Sequence, residues 1–238
     1  MTTTQRVEQH AGFILHQYPY RDSSVLLEVF TQQYGKLGLI ARGARSSRSK
    51  IRADLQPFRE LRLSWLQRGD LGTLTQVESS HVLKLPSGDR LFSAYYVNEL
   101  LMRLLIRHDP HPALYENYLA TLEQLFSDAS MEIQLRKFEK ILLDALGYGL
   151  ILDVDVETGE TLLPDKCYEY HLEHGPVETT LKTFTGLVFP GSSLLAIAQG
   201  DFQTASVLPD AKRLMRTILR FYLGDQPLKT RGMFRQMK

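Results

Sequence analysis

The chain has 238 residues, 43% hydrophobic and 23% charged, with a formal net charge of +1, which is ordinary for a globular protein of one large or two modest domains. No window is long and apolar enough to predict a membrane helix, and the polar start MTTTQRVEQHAGF lacks the core of a secretory signal. The single cysteine, Cys167, excludes an internal disulfide and fits a reducing cytoplasm.

The first eighty residues predict β-structure. Apolar residues alternate with polar ones in five short runs, which the turn-forming stretches YPYRD, QYGK and RGD help to separate. The alternating positions are Phe13 and Leu15; Val25, Leu27 and Val29; Leu37 and Leu39; Leu61, Leu63 and Trp65; Leu74 and Val77. Five strands with one longer loop, at residues 42–54, predict a small closed barrel, and a sandwich remains the alternative.

From Pro86 onward the apolar residues follow a helical period. Asp89 is a candidate cap for a first helix, Pro112 opens a second at a first-turn position, and Ser130 caps a third that Gly147 ends. This change of period predicts an α+β protein with a domain boundary near residue 82. The expected domains are residues 1–81, a barrel, and residues 82–238, which are mainly helical.

The helical half contains a polar, acidic excursion. Residues 153–178 are rich in carboxylates, and residues 167–172 have a β-like pattern, so we expect an insertion at about residues 150–180. Short helices are predicted to close the chain at residues 192–199, 209–223 and 227–237.

The connection between the third and fourth predicted strands is strongly basic. We call residues 42–58, RGARSSRSKIRADLQPF, the basic loop; no carboxylate occurs between Glu28 and Asp54. The cations of this region are Lys36, Arg42, Arg45, Arg48, Lys50 and Arg52. Crowded cations repel each other unless an anion is present, and displaced counterions favour binding to a phosphate backbone. The region is therefore a candidate nucleic-acid surface, with a solvated loop as the alternative interpretation.

Aromatic side chains near the barrel are candidates for stacking on unpaired bases. Tyr18, Tyr20 and Tyr34 fall in predicted turns and are the better candidates, Tyr34 being adjacent to the basic region. Phe13, Phe30 and Trp65 follow the alternating apolar pattern, which favours core packing for them instead.

Charge is unevenly distributed along the chain. Residues 1–80 hold eleven Lys and Arg against seven Asp and Glu, whereas residues 81–238 hold seventeen against twenty. A second basic segment, residues 212–238, has eight cations and one acid. Its first part forms a strip at helical spacing, which we call the C-terminal strip: Lys212, Arg213, Arg216 and Arg220. An exposed amphipathic face explains the strip, and a second DNA-binding or partner-binding surface is the alternative.

Several motifs resemble the bacterial RecO family. The stretch GARSSRSKIRADLQPF from Gly43 is similar to the family's basic loop. Further matches follow the family's order: DSSVLL with FT in the first hairpin, YVNELL in the first helix, RKFE before LGYG, then TFTG and PLKTR. Each motif alone is weak, but the ordered set covers nearly the whole chain.

The resemblance implies an N-terminal oligonucleotide-binding (OB) barrel followed by a helical domain. It implies a non-catalytic, cytoplasmic and nucleoid-associated protein that binds single- and double-stranded DNA and anneals complementary strands. Its implied partners are RecR, the C-terminal tail of single-stranded-DNA-binding protein and, indirectly, RecA. By the same resemblance, Arg136 and its neighbour Lys137 are expected to bind that acidic tail, whereas an ordinary solvated helix face is the alternative for both.

Metal binding and catalysis are the remaining possibilities. Some members of the family hold zinc with four cysteines in the excursion at about residues 150–180. This chain has only Cys167 there, which with His171 and His174 makes a weak ligand set, so the insertion resembles a degenerated zinc-finger region and we expect no metal or cofactor. No phosphate-binding glycine loop or hydrolase motif occurs, although the acidic excursion leaves a metal-dependent nuclease open. An RNA-binding barrel linked to translation shares the same electrostatics and is the other alternative.

Overall fold

Five strands close into a barrel in the computed structural model, which describes residues 4–82, 85–180 and 186–230. The strands are β1 (Gln5–Tyr20), β2 (Ser24–Thr31), β3 (Gly35–Ala41), β4 (Arg59–Arg68) and β5 (Leu71–Val82). Their order around the barrel is β1-β2-β3-β5-β4; β3 and β5 are parallel and the other pairs are antiparallel. A closed barrel of five strands in this order is the Greek-key arrangement of an OB-fold and confirms the predicted OB-type barrel.

Alternating side chains fill the barrel, as the period of two predicts. The interior includes Leu27, Val29, Leu37, Leu39, Leu61, Leu63 and Trp65, each at most 1% exposed. On β1 the interior residues are Val7 and Ile14, whereas Phe13 is buried against Tyr118, with ring centroids 5.0 Å apart. The middle of β1 is thus buried on both faces, because helices cover its outer side.

Those helices are α1 (Asp89–Leu104) and α2 (Pro112–Leu125). A hydrogen-bonded chain fixes them to the barrel: Tyr118 Oη donates to Asn98 Oδ1 at 2.6 Å, and Asn98 Nδ2 donates to the Leu15 carbonyl at 3.0 Å. Pro112 opens α2 as predicted, and Asp89 is the first residue of α1 and follows the cap residue Gly88.

The chain divides into two compact units, Met1–Ala129 with Leu228–Lys238, and Ser130–Pro227. The helices α1 and α2 therefore share a unit with the barrel. The boundary expected near residue 82 follows the change of sequence period, lies between β5 and α1, and stays a prediction.

The second unit combines three helices with a small sheet. Its helices are α3 (Met131–Ala145), α4 (Gly191–Gln199) and α5 (Val207–Leu223), and its strands are β6 (Cys167–His171), β7 (Gly175–Thr179) and β8 (Val188–Pro190), in the order β7-β6-β8. Ser130 is the cap residue of α3 and Gly147, with φ of 79°, follows its end, as predicted. The β-like pattern at residues 167–172 is confirmed as β6; the sequence predicted neither β7 nor β8.

The end of the chain falls partly outside the described residues. The helix predicted at residues 227–237 and the PLKTR motif extend beyond residue 230, and most of the TFTG motif lies at residues 183–185, which are also not described. Among the described residues, no helix is both long and apolar enough to cross a membrane.

Candidate nucleic-acid interface

Buried apolar residues fix the basic loop to the barrel. Ala44 and Leu55 are 2% and 3% exposed and belong to the barrel core, and Ile51 packs against the same core. The backbone N–H of Arg45 also donates to the Ser23 carbonyl at 2.8 Å. Anchors at the start, middle and end hold the loop against the barrel, so the polar residues between them face outward.

The cations of the loop are exposed: Arg42, Arg45, Arg48, Lys50 and Arg52. Within the described part of the chain, none of the five has a carboxylate at ion-pair distance. Arg45 Nη1 donates to the backbone carbonyl of Arg21 at 3.3 Å, which orients it without neutralising its charge. The result is a fixed, uncompensated positive surface, the electrostatic feature that binds phosphate backbones.

Lys36 does not belong to this surface. It is 8% exposed, and Nζ donates to the Met102 carbonyl at 2.6 Å, so the ammonium lies beneath the end of α1. Burial lowers the pKa of Lys36 from its ordinary value, the Glu28 carboxylate opposes this, and the Arg107 guanidinium adds to it. Arg107 in turn binds Glu28. Lys36 therefore helps to pack α1 on the barrel. The expectation that Lys36 contacts DNA is corrected accordingly.

Tyr34 is also held within the protein. Its ring packs against Trp65 and His10, with ring centroids 5.2 Å and 4.9 Å apart, and it is only partly exposed. These contacts leave less of the Tyr34 ring accessible to a base than an exposed tyrosine would offer. Tyr18, in contrast, is 43% exposed and lies on β1 where the sequence predicted a turn.

An open groove of about 510 Å³ lies beside Tyr18, between the end of β1 and the basic loop. We call it the Tyr18 groove. Its lining includes the buried side chains of Val25, Ala44 and Leu55 and the exposed side chains of Tyr18, Arg45 and Arg52. The fold thus brings residues far apart in sequence into one groove that combines apolar and cationic groups.

Only some cations of the C-terminal strip, on α5, are exposed and free of an ion pair with a described residue. Arg213 donates to Asp210 Oδ1 at 3.0 Å and to the Val188 carbonyl at 2.8 Å, and its guanidinium lies 4.3 Å from the ring centroid of Phe189. Lys212 binds Glu132. The exposed arginines Arg216 and Arg220, four residues apart, have no described carboxylate at ion-pair distance. Phe221, which follows Arg220 on the same helix, is also 47% exposed.

Arg136 and Lys137 differ in exposure although they are adjacent. Arg136 is 6% exposed and Nη2 donates to Glu139 Oε1 at 2.7 Å, one turn later on α3. Lys137 is exposed. Of the two expected contacts for an acidic tail, Lys137 is accessible in this structure and Arg136 is engaged in a buried ion pair.

The weak metal-ligand candidates do not converge. Cys167 and His171 lie at opposite ends of β6, which separates them by about 13 Å along the strand. His174 lies in the following turn, where Nδ1 is 3.0 Å from the Leu172 carbonyl. No group of three His, Cys, Asp or Glu side chains suited to a metal ion occurs in the described ranges.

The acidic excursion is organised by one of its own carboxylates. Asp155 is 4% exposed and accepts hydrogen bonds from the backbone N–H groups of Glu157, Thr158 and Glu178 at 2.8–3.1 Å. Burial alone would raise the pKa of Asp155, but these hydrogen bonds outweigh it and hold the pKa below its ordinary value. Asp155 thus has a structural role that the sequence did not reveal.

Comparisons with known proteins agree with the motifs. The family model described as recombination protein O N terminal matches residues 5–82, and the corresponding C-terminal model matches residues 85–232. The DNA repair protein RecO of Nitrosococcus oceani is 42% identical over 233 residues, which cover 98% of this chain and 95% of that protein. The proteins of the same name from Methylococcus capsulatus and Dechloromonas aromatica are 41% identical over 97% of this chain and 39% identical over 100% of it; the matches cover 94% and 99% of those two proteins.

Proposed function

This chain belongs to the RecO family of DNA repair proteins, and from that premise we propose that it binds single- and double-stranded DNA and anneals complementary strands without catalysing a reaction. The observation that carries this proposal is the basic loop. Five exposed cations stand on a loop fixed to an OB-type barrel, with no described carboxylate to neutralise them.

The loop supports annealing through electrostatics. Two complementary strands repel each other, and a positive surface that binds both lowers this repulsion without reading their sequence. Four of the five loop cations are arginines, whose guanidinium groups contact phosphate oxygens in pairs. Arg216 and Arg220 in the second unit provide a further exposed pair for a second strand.

Partner recruitment is the second element of the proposal. With RecR, the protein would help load RecA onto DNA coated by single-stranded-DNA-binding protein, whose acidic tail it would bind. Lys137 supports the tail contact, because it is an exposed cation on α3 that could meet a carboxylate. Arg136 would contribute only by positioning this part of α3.

A pair of charge-matched double variants tests the role of the loop. We expect Arg42→Glu/Arg48→Glu to slow the pairing of complementary oligonucleotides on the order of tenfold or more. In titrations of a single strand, the slope of log K against log salt concentration should become smaller by about 0.7 for each phosphate that the protein no longer binds. The control, Arg62→Glu/Arg68→Glu, has the same net charge and changes exposed arginines of the barrel outside the loop. Equal effects of the two variants would contradict the assignment to the loop.

The same measurements of strand binding and strand pairing distinguish the proposed function from an RNA-binding protein and from a nuclease. Tighter binding of RNA than of DNA of one sequence would favour a role linked to translation. Cleavage of the strands upon addition of Mg²⁺ would favour a nuclease. Strand pairing that needs neither a nucleotide cofactor nor a metal supports the proposal.

A further inference from the structure

We propose that the Tyr18 groove binds an unpaired nucleobase of single-stranded DNA, with the neighbouring phosphates held by Arg45 and Arg52. This inference rests on the proposed function and adds to it a specific contact to the base. It assigns Tyr18 as the residue through which the protein distinguishes an open strand from a duplex.

The groove has the chemistry of a site for a flat, partly polar ring. Its floor is apolar, since Val25, Ala44 and Leu55 are at most 8% exposed and belong to the barrel core. The Tyr18 ring stands at its edge; it contacts the His16 ring, with centroids 4.4 Å apart, but is still 43% exposed, and the exposed part is a surface on which a base can stack. Stacking needs only a π-face, so it tolerates any of the four bases.

Polar groups lie where a base and its phosphates would need them. The amides of Gln17 and Gln56 line the groove and can donate to or accept from the edge of a base. Arg45 and Arg52 line its side toward the basic loop, and no carboxylate lines it among the described residues. A ligand with a flat apolar face, hydrogen-bonding edges and an adjacent negative charge matches this arrangement, and a nucleotide unit of an open strand has all three.

The restriction to unpaired bases follows from geometry. In a duplex the faces of the bases are stacked on each other, so a side chain at the surface of the protein reaches only their edges and phosphates. The cations of the loop serve both forms of DNA through phosphates, whereas Tyr18 serves the open strand alone. An acidic peptide could contact the same arginines, but the run of cations continues along the loop beyond the groove, as a long polyanion requires.

The experiment compares three oligonucleotides with equal numbers of phosphates: an ordinary single strand, a strand whose sugars carry no bases, and a duplex. We expect Tyr18→Ala to weaken binding of the ordinary strand about 5- to 100-fold. Binding of the abasic strand and of the duplex should change less than twofold. Tyr18→Phe should bind like the native protein because it keeps the ring, whereas Tyr18→Ile keeps strand propensity but should bind like Tyr18→Ala.

Tyr148→Ala is the matched control, because Tyr148 is 39% exposed and lies in the second unit. Unchanged binding of the ordinary strand by Tyr18→Ala would overturn the proposal, and so would an equal loss on the ordinary and abasic strands. If the groove bound an acidic peptide instead of a base, Tyr18→Ala would leave binding of the ordinary strand unchanged. If the native protein bound no oligonucleotide in a salt-dependent way, the proposed function itself would fail, which none of the variant results can mimic.

Discussion

Arg136 and Glu139 form a buried ion pair within one turn of α3, with 2.7 Å between Arg136 Nη2 and Glu139 Oε1. Their exposed fractions are 6% and 0%, so the pair is part of the interior of the second unit. Lys137, between them in sequence, is exposed. Two adjacent cations of one motif thus have different roles.

The pair predicts that alanine substitutions at Arg136 and at its neighbour Lys137 affect stability very differently. Arg136→Ala removes the guanidinium that binds a fully buried carboxylate, which should lower the free energy of unfolding by about 3–5 kcal/mol. Lys137→Ala should change it by less than about 0.5 kcal/mol, as expected at an exposed site. Urea denaturation of both variants measures the difference. If Arg136→Ala were as stable as the native protein, Arg136 would be free for a partner instead.

A second prediction compares Lys36 with Arg48. Lys36→Met removes a buried hydrogen bond from a charged donor to the Met102 carbonyl, and should lower stability by roughly 1.5–3 kcal/mol. It should leave the salt dependence of DNA binding unchanged, because the buried ammonium cannot reach a phosphate. Arg48→Gln should do the reverse. Its stability should be unchanged, and the slope of log K for DNA binding against log salt concentration should be smaller by about 0.7 to 0.9. Denaturation together with salt titration tests both, and a smaller slope in Lys36→Met would restore Lys36 to the interface.

The buried carboxylate of Asp155 predicts a dependence on pH. Because its pKa is lowered in the folded protein from 3.8, the stability that it contributes is present above that value and is lost as the pH falls through the folded pKa. Asp155→Asn replaces an acceptor by an amide donor and should cost about 1–3 kcal/mol at neutral pH.

The contrast with the native protein should begin to shrink near pH 3.8, where the unfolded chain takes up its proton, and should be smallest below the lower pKa of the folded carboxyl. Urea denaturation at a series of pH values provides the measurement. Asp153→Asn is the control, since Asp153 is exposed in the same excursion and should show neither effect. A cost that stayed constant down to acid pH would contradict the role of the charge.

In the C-terminal strip, we expect Arg213 to contribute to stability and its neighbours Arg216 and Arg220 to contribute to DNA binding. Arg216→Gln/Arg220→Gln should slow strand annealing and reduce the salt slope of binding without lowering stability, because both side chains are exposed. Arg213→Gln should lower stability and leave the slope unchanged, because its guanidinium binds Asp210 and the Val188 carbonyl. Thermal unfolding and stopped-flow annealing would separate the two. A normal annealing rate in the double variant would limit DNA binding to the barrel unit.

The sequence by itself determined the features that depend on local pattern. The strand period of two, the turn residues and a run of cations without acids predicted the barrel and an exposed basic loop. Exposure of the loop follows directly from its composition, since unpaired charges are costly to bury. Pro112 likewise marked a helix start through its fixed backbone angle, and Ser130 precedes α3 as predicted, although its side chain makes no capping hydrogen bond.

Only the tertiary structure decided which polar residues lie under another element. On β3, Lys36 occupies an outward position that alternation assigns to solvent, but the end of α1 covers that part of the barrel and buries it. The same limit applies to Arg136, whose helical position does not reveal the interior around it. The Tyr18 groove joins β1 to the basic loop across more than twenty residues. Periodicity describes one element at a time, whereas burial and grooves arise from how separate elements meet.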